Sequence, residues 1–179
     1  MTPLEHLWAG WRLSYVSSVD PVPAADGADG VDGGSIFTRI LRSALPDDET
    51  LIVHRGPTCF TILNAYPYGT AHTMVLPFRE VGDLEALTAV ETSELWATVT
   101  TVVIVLKALY RPDGMNVGVN LGRPAGGSIS EHLHVHVVPR WTGDANFMTT
   151  VGNTRTMPED LASTYARVRA AWPSRSATA

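Results

Sequence analysis

The chain has 179 residues, of which 45% are hydrophobic and 17% are charged, and a net charge of −5 at neutral pH. This length fits about one domain with a substantial core. The negative charge and the lack of Lys- or Arg-rich runs argue against a general nucleic-acid-binding protein. Cys59 is the only cysteine, which excludes an intrachain disulfide and a cysteine-based zinc cluster.

The N-terminal part combines bulky aromatic residues with an acidic, glycine-rich segment. Trp8 and Trp11 are expected to dock onto a core or a partner. Residues 19–34 predict a flexible acidic linker or surface loop inside one domain that spans 1–179. The first residues lack the pattern of a signal peptide, and the apolar stretch at 102–109 contains Lys107 and is too short to span a bilayer. We therefore expect a soluble cytoplasmic protein with no membrane partner.

Short β-like runs and two helical segments follow in order along the chain. Runs at 51–54 and 59–63 predict a hairpin, and 72–77 predicts a third strand. Thr88 and Glu91 have the spacing of a capping box, which predicts a helix that stops before Pro112. A strand at 116–121, a glycine-rich loop at 122–128, a strand through the histidines and a helix at 158–172 follow. This order indicates an α+β fold with a mainly antiparallel sheet.

Three histidines alternate with aliphatic residues at 132–136. In a strand, His132, His134 and His136 share one face, and the aliphatic residues share the other. One metal ion fits all three poorly, because the outer pair of Cα atoms is about 13 Å apart in a regular strand. A merely solvated face would more naturally carry Thr, Lys or Glu. The third interpretation is phosphorus transfer, with one histidine as nucleophile. One neighbour can then hold the charge or donate a hydrogen bond, and the other can protonate the leaving group.

The loop before the histidines favours phosphorus transfer. Gly126 and Gly127 let backbone N–H groups approach phosphate oxygens, and the hydroxyl of Ser128 adds a further donor. A glycine-rich turn alone is a weak signal. Beside an alternating histidine triple it becomes a strong one.

At this point the sequence resembles the histidine triad superfamily, whose hallmark is His-φ-His-φ-His-φ-φ with φ apolar. Residues 132–138 match every position, and residues 63–67, His72 and 75–77 match an upstream signature of the same superfamily. Residues 7–12, 120–128 and 139–148 are similar to a narrower bacterial branch. That branch includes diadenosine tetraphosphate phosphorylases and hydrolases.

The resemblance implies a fold, an assembly and a mechanism. The expected fold is an antiparallel sheet of about five strands with two main helices, which forms a homodimer or a higher homo-oligomer through the helix and the sheet edge. The expected mechanism is double displacement. His134 attacks the α-phosphorus of a nucleotide, and water or orthophosphate then releases the nucleotide from the histidine.

The resemblance also assigns roles to individual residues. His132 and His136 support the phosphate and the leaving group beside His134. Asn64 holds the ribose, although it could instead cap a turn before Pro67, and His72 lines the phosphate path, although it could be an ordinary strand histidine. The remaining substrate-binding residues are Asn120, Gly126, Gly127 and Ser128.

Three departures from the family pattern qualify these expectations. Many relatives carry a zinc-binding Cys-x-x-Cys where this chain has Ser35 and Thr38, so no metal site is expected. Ala71 stands where glycine is usual, so that turn should avoid a positive φ. Gly127 stands where the phosphoramidase branch usually has glutamine, which favours the dinucleoside polyphosphate branch.

The sequence therefore predicts an enzyme that cleaves diadenosine tetraphosphate or a related compound, and it favours phosphate over water as the acceptor. The alternatives are hydrolysis of the same substrates, a nucleoside phosphoramidase, and a nucleotide-binding module without turnover. The protein's residues require no cofactor, and a divalent cation can accompany the polyphosphate substrate. The expected partner is an adenine nucleotide and not a nucleic acid.

Overall fold

The structure, a computed structural model, describes residues 33–126, 129–145, 147, 151 and 157–173. The helices, strands and candidate site belong to the unit that begins at Gly34. Several predictions lie outside the described residues: those on the two N-terminal tryptophans, on nearly all of the acidic segment, and on Gly127 and Ser128. One domain over 1–179 stays a prediction.

Five strands and four helices make up the described part of the chain. The helices are α1 (Ile36–Arg42), α2 (Asp47–Thr50), α3 (Ala89–Tyr110) and α4 (Leu161–Ala171). The strands are β1 (Ile52–Arg55), β2 (Cys59–Leu63), β3 (Thr73–Pro77), β4 (Gly114–Val119) and β5 (Val135–Arg140). They form one sheet in the order β1-β2-β3-β5-β4, in which every neighbouring pair is antiparallel. The α+β class and the five-stranded antiparallel sheet are thus confirmed.

Two strands begin two or more residues away from the predicted positions. β4 starts at Gly114 and ends at Val119, two residues earlier than predicted, because its partner β5 extends to Arg140 and pairs with Gly114. β5 itself begins only at Val135, so His132 and His134 lie in the segment that leads into it. The histidine triple therefore spans the entry to an inner strand of the sheet.

The two faces of the sheet bury different clusters. α3 packs against β2, β3 and β5, and Leu95, Val102 and Leu106 of this helix belong to the cluster that includes Leu133, Val135 and Val137. On the opposite face, Phe37 of α1 packs with a second cluster, formed by Ile52, Phe60, Ile62, Met74 and Leu76. Because side chains alternate along β5, this strand contributes its aliphatic side chains to the first cluster and its imidazoles to the α1 side.

The capping box predicted for α3 is present. The Thr88 hydroxyl accepts from the Glu91 N–H, and the Glu91 carboxylate accepts from the Thr88 N–H at 2.8 Å. Arg79 also donates to this carboxylate, and its hydrogen bond is the main reason that the pKa of Glu91 falls to about 2. α3 has 22 residues and contains an 18-residue window with a mean hydropathy of 1.4, so by length and composition alone the whole helix, which extends well beyond the predicted apolar stretch at 102–109, could cross a membrane. One face of α3 instead packs on the sheet.

Candidate active site

The alternation predicted for the histidines is confirmed, but their imidazoles do not lie on a solvated face. The exposed fractions of His132, His134 and His136 are 0%, 7% and 8%. Phe37 of α1 packs against two of them, with its ring centroid 5.6 Å from that of His132 and 5.5 Å from that of His134, and Tyr68 lies 5.6 Å from His136. The three rings are therefore held in a largely dry environment at the edge of a hydrophobic cluster.

His134 has a tautomer fixed by the backbone. Its Nδ1 lies 2.8 Å from the carbonyl oxygen of His132. A carbonyl only accepts, so Nδ1 carries the hydrogen and Nε2 carries the lone pair. Burial lowers the pKa of His134, which keeps the ring neutral. His134 is thus a neutral imidazole with its nucleophilic nitrogen turned away from the backbone.

His136 has a hydrogen-bond donor beside the nitrogen of His134 that carries the lone pair. The N–H of Tyr68 donates to Nδ1 of His72 at 3.0 Å. If the His72 ring is neutral, its hydrogen is therefore on Nε2. That nitrogen then donates to Nδ1 of His136, also at 3.0 Å. In a neutral His136 the hydrogen is therefore on Nε2. This nitrogen is buried and has no hydrogen-bond partner among the described residues. An unpaired buried donor is costly, and this N–H is available to an acceptor from outside the described residues.

The protonation of His136 follows from its surroundings. Burial first, and the neighbouring His134 second, lower the pKa of His136 to about 4. Its ring centroid is 4.7 Å from that of His134. One neutral ring with a free lone pair therefore stands beside one neutral ring with a free N–H. That is the pair a nucleophilic substitution at phosphorus requires.

His132 has a different environment from the one that the resemblance implied. Its Nε2 donates to the carbonyl of Pro77 at 2.9 Å, and its Nδ1 lies 2.8 Å from the hydroxyl of Ser35. Both ring nitrogens are engaged and the residue is wholly buried, so the ring does not offer a group to a phosphate. Its direct catalytic role stays a prediction, and its geometry favours positioning.

Asn64 and His72 are brought together by the turn between β2 and β3. The Asn64 side chain accepts from the N–H of Tyr66 at 2.9 Å, and its Nδ2 lies 3.3 Å from Nδ1 of His72. The turn-capping alternative for Asn64 is therefore present in the structure. His72 is buried and reaches the site through His136 rather than directly.

The expectation for Ala71 was wrong. Its φ is +59°, in the left-handed region that glycine adopts more readily. Ala71 is nevertheless buried and belongs to the cluster beneath α3, so its methyl group gains packing contacts that glycine would lack.

Asn120 and Gly126 lie close together after β4. A Cβ at Gly126 would come 3.8 Å from Nδ2 of Asn120, and Gly126 has a φ of +96° at the end of a short 3-10 turn, Arg123–Ala125. Gly118 of β4 lies opposite His136, and a Cβ there would meet no atom within 4 Å. Open space therefore lies beside Gly118, on the strand that pairs with His136.

Four residues of this region carried no catalytic assignment from sequence: Ser35, Phe37, Tyr68 and Glu80. The Tyr68 ring lies 4.5 Å from His72 and 5.6 Å from His136, centroid to centroid. Ser35 and Glu80 join the site through hydrogen bonds that span long sequence separations. Local sequence pattern holds no signal for such contacts.

A cavity of about 1090 Å³ among the described residues is not lined by the histidines. It lies further along β4 and β5, beside Tyr68, Asn116, Val138 and Arg140. Arg140 is held there by two hydrogen bonds to Asp144 and one to Asn116. Within the described ranges, no group of three or more His, Cys, Asp or Glu side chains is arranged to hold a metal ion.

The buried nucleophile predicts an unusual pH profile. Burial lowers the pKa of His134 below the ordinary 6.5, and protonation would remove its lone pair. We expect the acid limb of kcat/KM to be centred below pH 6.5, because the pKa of His134 lies below the ordinary histidine value and protonation removes the attacking lone pair. A profile measured from about pH 4 to 8 checks this. An acid limb centred above the ordinary histidine value would contradict it.

Comparison with known proteins decides the family. The HIT domain family model matches residues 46–143, more than half of the chain. The chain belongs to the HIT family. It is 44% identical over 169 residues to a protein of Mycobacterium tuberculosis named AP-4-A phosphorylase, covering 94% of this chain and 85% of that one.

Several matches share a lower identity with this chain. A bifunctional bis(5′-adenosyl)-triphosphatase/adenylylsulfatase of Arabidopsis thaliana is 32% identical, with 54% of this chain matched to 53% of that protein. Among solved structures, a zinc-bound histidine triad family protein of Mycobacterium smegmatis is 25% identical, with a TM-score of 0.63 over 78% of this chain and 93% of that chain. A Hit-like protein of Bartonella henselae, at 22% identity and a TM-score of 0.64 over 80% of this chain and 99% of that chain, shares the fold.

Proposed function

We propose that this HIT protein is an enzyme that cleaves diadenosine tetraphosphate or related dinucleoside polyphosphates, with orthophosphate as acceptor. The observation that carries the proposal is the lone pair on Nε2 of His134 beside the unpaired N–H on Nε2 of His136. The 44% identity to AP-4-A phosphorylase over nearly the whole chain supports the substrate and the acceptor.

The chemistry proceeds in two displacements. Nε2 of His134 attacks the α-phosphorus, the bond between that phosphorus and the bridging oxygen breaks, and ATP leaves while AMP stays on the histidine. An oxygen of orthophosphate then attacks the same phosphorus, the P–N bond breaks, and ADP is released. The N–H of His136 stabilises the charge that develops on the phosphoryl oxygens or on the leaving oxygen in each step.

The other predicted site residues support this path. Asn64 would hold the ribose, and Asn120 with Gly126, Gly127 and Ser128 would surround the phosphates. His72 acts on the reaction through His136, because its Nε2 meets that ring and not the cleft. The polyphosphate can bring a divalent cation with it, and no step depends on one held by the protein.

The products of the reaction test the proposal. Incubation of diadenosine tetraphosphate with the protein and orthophosphate is expected to give ATP and ADP in equal amounts, measured by ion-exchange chromatography. Omission of orthophosphate should suppress turnover. Labelled orthophosphate should appear in ADP alone, because the acceptor enters only in the second displacement.

Hydrolysis is the second candidate, favoured by the relatives named bis(5′-adenosyl)-triphosphatase. With water as acceptor the products become AMP and ATP. Turnover that does not depend on orthophosphate and yields AMP would assign the hydrolytic reaction and contradict phosphorolysis.

We also infer a homodimer of a cytoplasmic protein, built on α3 and β4. The solvent side of α3 is apolar, with Val90, Trp96 and Ile104 exposed, and β4 is an exposed edge strand. α3 covers β2, β3 and β5, which leaves Val117 of β4 exposed at 43%. A second copy packed across a two-fold axis would cover both surfaces at once.

A further inference from the structure

A hydrogen-bonded cluster at the start of α1 connects a carboxylate to the histidine triple. Its members are Ser35, Thr38, Glu80 and His132, and we call it the Glu80 cluster. Ser35 caps α1, Glu80 follows β3, and His132 precedes β5. Three distant parts of the chain therefore meet at Ser35, whose backbone contacts Glu80 and whose hydroxyl contacts Nδ1 of His132.

The donors and acceptors in the Glu80 cluster follow from the groups involved, and the Ser35 hydroxyl has two acceptors within reach, Nδ1 of His132 at 2.8 Å and the Thr38 hydroxyl at 3.3 Å. One oxygen of the Glu80 carboxylate accepts from the N–H of Ser35 at 2.9 Å and from the hydroxyl of Thr38 at 2.5 Å. The Ser35 hydroxyl accepts from the N–H of Thr38 at 3.2 Å. Its own hydrogen is then available for Nδ1 of His132, which lies 2.8 Å away.

The same series of hydrogen bonds continues to the nucleophile. Nε2 of His132 donates to Pro77, so the ring is held at both nitrogens, while the rings of Phe37 and Phe60 pack against it edge-on. The carbonyl of the same residue accepts from Nδ1 of His134. Any rotation of the His132 backbone would therefore move the group that sets the tautomer of His134.

We propose that Glu80 is a positioning residue for His134, acting through Ser35, Thr38 and His132. The proposal rests on the proposed function, in which Nε2 of His134 is the attacking atom. Glu80 touches neither substrate nor reacting atoms. It holds the segment before α1 in place, and that segment supplies the hydroxyl that fixes His132.

Two further observations support this role. Gly34 has a φ of +136°, and a Cβ there would come 2.9 Å from the Glu80 carboxylate and 2.9 Å from Cγ2 of Thr38, so the backbone is held tightly against the carboxylate. The hydrogen bond from Thr38 is the main cause that keeps the pKa of Glu80 below its ordinary value. Glu80 is therefore a charged acceptor at neutral pH, and hydrogen bonds to a charged acceptor are stronger than neutral ones.

Kinetics of cluster variants test the positioning role. In Glu80→Ala and Ser35→Ala we expect kcat to fall by between about 10- and 100-fold, because small displacements of reacting groups have effects of this order. The affinity for AMP should stay within about two-fold, since the cluster does not line the open space beside Gly118. Glu80→Gln should recover most of the rate, because one amide oxygen can accept both hydrogen bonds. Glu85→Ala, which removes an exposed carboxylate nearby, is the matched control and should behave as the unaltered protein.

A second measurement separates positioning from a general loss of structure. Nitrogen-15 NMR of the histidine rings, assigned with His134→Ala, reports which nitrogen of His134 carries the hydrogen. The unaltered protein should show hydrogen on Nδ1, and Glu80→Ala and Ser35→Ala should show a mixture of the two tautomers while the amide spectrum stays folded. A lower melting temperature with unchanged kcat and an unchanged His134 tautomer would overturn the proposal. Because the tautomer is measured without substrate, it decides the proposal even if diadenosine tetraphosphate is not cleaved.

Discussion

Replacement of His134 by alanine is expected to lower the turnover of diadenosine tetraphosphate by about 10⁴-fold or more, the order found when a covalent nucleophile is removed. No neighbour can take its place. Nδ1 of His136 accepts from His72, and both nitrogens of His132 are engaged. Steady-state rates, together with intact-protein mass spectrometry of reactions quenched with alkali, in which the P–N bond survives, measure the effect. The unaltered protein should carry an AMP adduct, and the variant should carry none.

His54→Ala is the matched control for this experiment. His54 stacks on Trp172 at 4.7 Å and belongs to β1, at the edge of the sheet. Its replacement should leave both the rate and the adduct intact, whatever it does to the melting temperature. Persistence of the adduct in His134→Ala would show that another atom attacks the phosphorus.

Replacement of Ile104 by glutamate is expected to convert the proposed dimer into a monomer. Ile104 is 63% exposed on the side of α3 that faces away from the sheet, so the charge does not disturb the core. In an interface between identical copies the substitution occurs twice, and burying an unpaired charge costs on the order of 3 kcal/mol or more each time. Sedimentation equilibrium at micromolar concentration measures the change in mass.

Leu45→Glu provides the comparison for the interface. Leu45 is 52% exposed and lies between α1 and α2, away from α3 and β4. This variant should keep the mass of the unaltered protein. If Ile104→Glu also keeps that mass, the proposed interface on α3 is wrong.

The parts of the fold that sequence predicts well are those set by neighbouring residues. Thr88 and Glu91 form their capping box because both partners lie within one helical turn, and the aliphatic residues of β5 face α3 because side chains alternate in a strand. The pairing of β1 with β2 follows from a short turn between two β-like runs. Such features need no knowledge of the rest of the chain.

The parts that sequence missed depend on contacts between distant residues. His132 is hydrogen-bonded to Ser35, 97 residues away, and Phe37 of α1 packs against His132 and His134. The positive φ of Ala71 is tolerated because its methyl group enters the cluster beneath α3. Nothing in the residues adjacent to either position carries that information. The resemblance named candidate site residues, but it did not reveal that His132 is wholly buried with both ring nitrogens engaged.

The carbonyl that orients His134 belongs to the residue two positions earlier in the same chain. The orientation of the proposed nucleophile is therefore set by the backbone at the entry to β5, whereas Gly118 and Gly126, which we propose to lie beside the nucleotide, belong to other segments of the chain. These two sets of residues can change independently. Substitutions in the residues beside the nucleotide can thus change which polyphosphate, base or acceptor a protein of this fold uses, while the residues that orient the nucleophile stay the same.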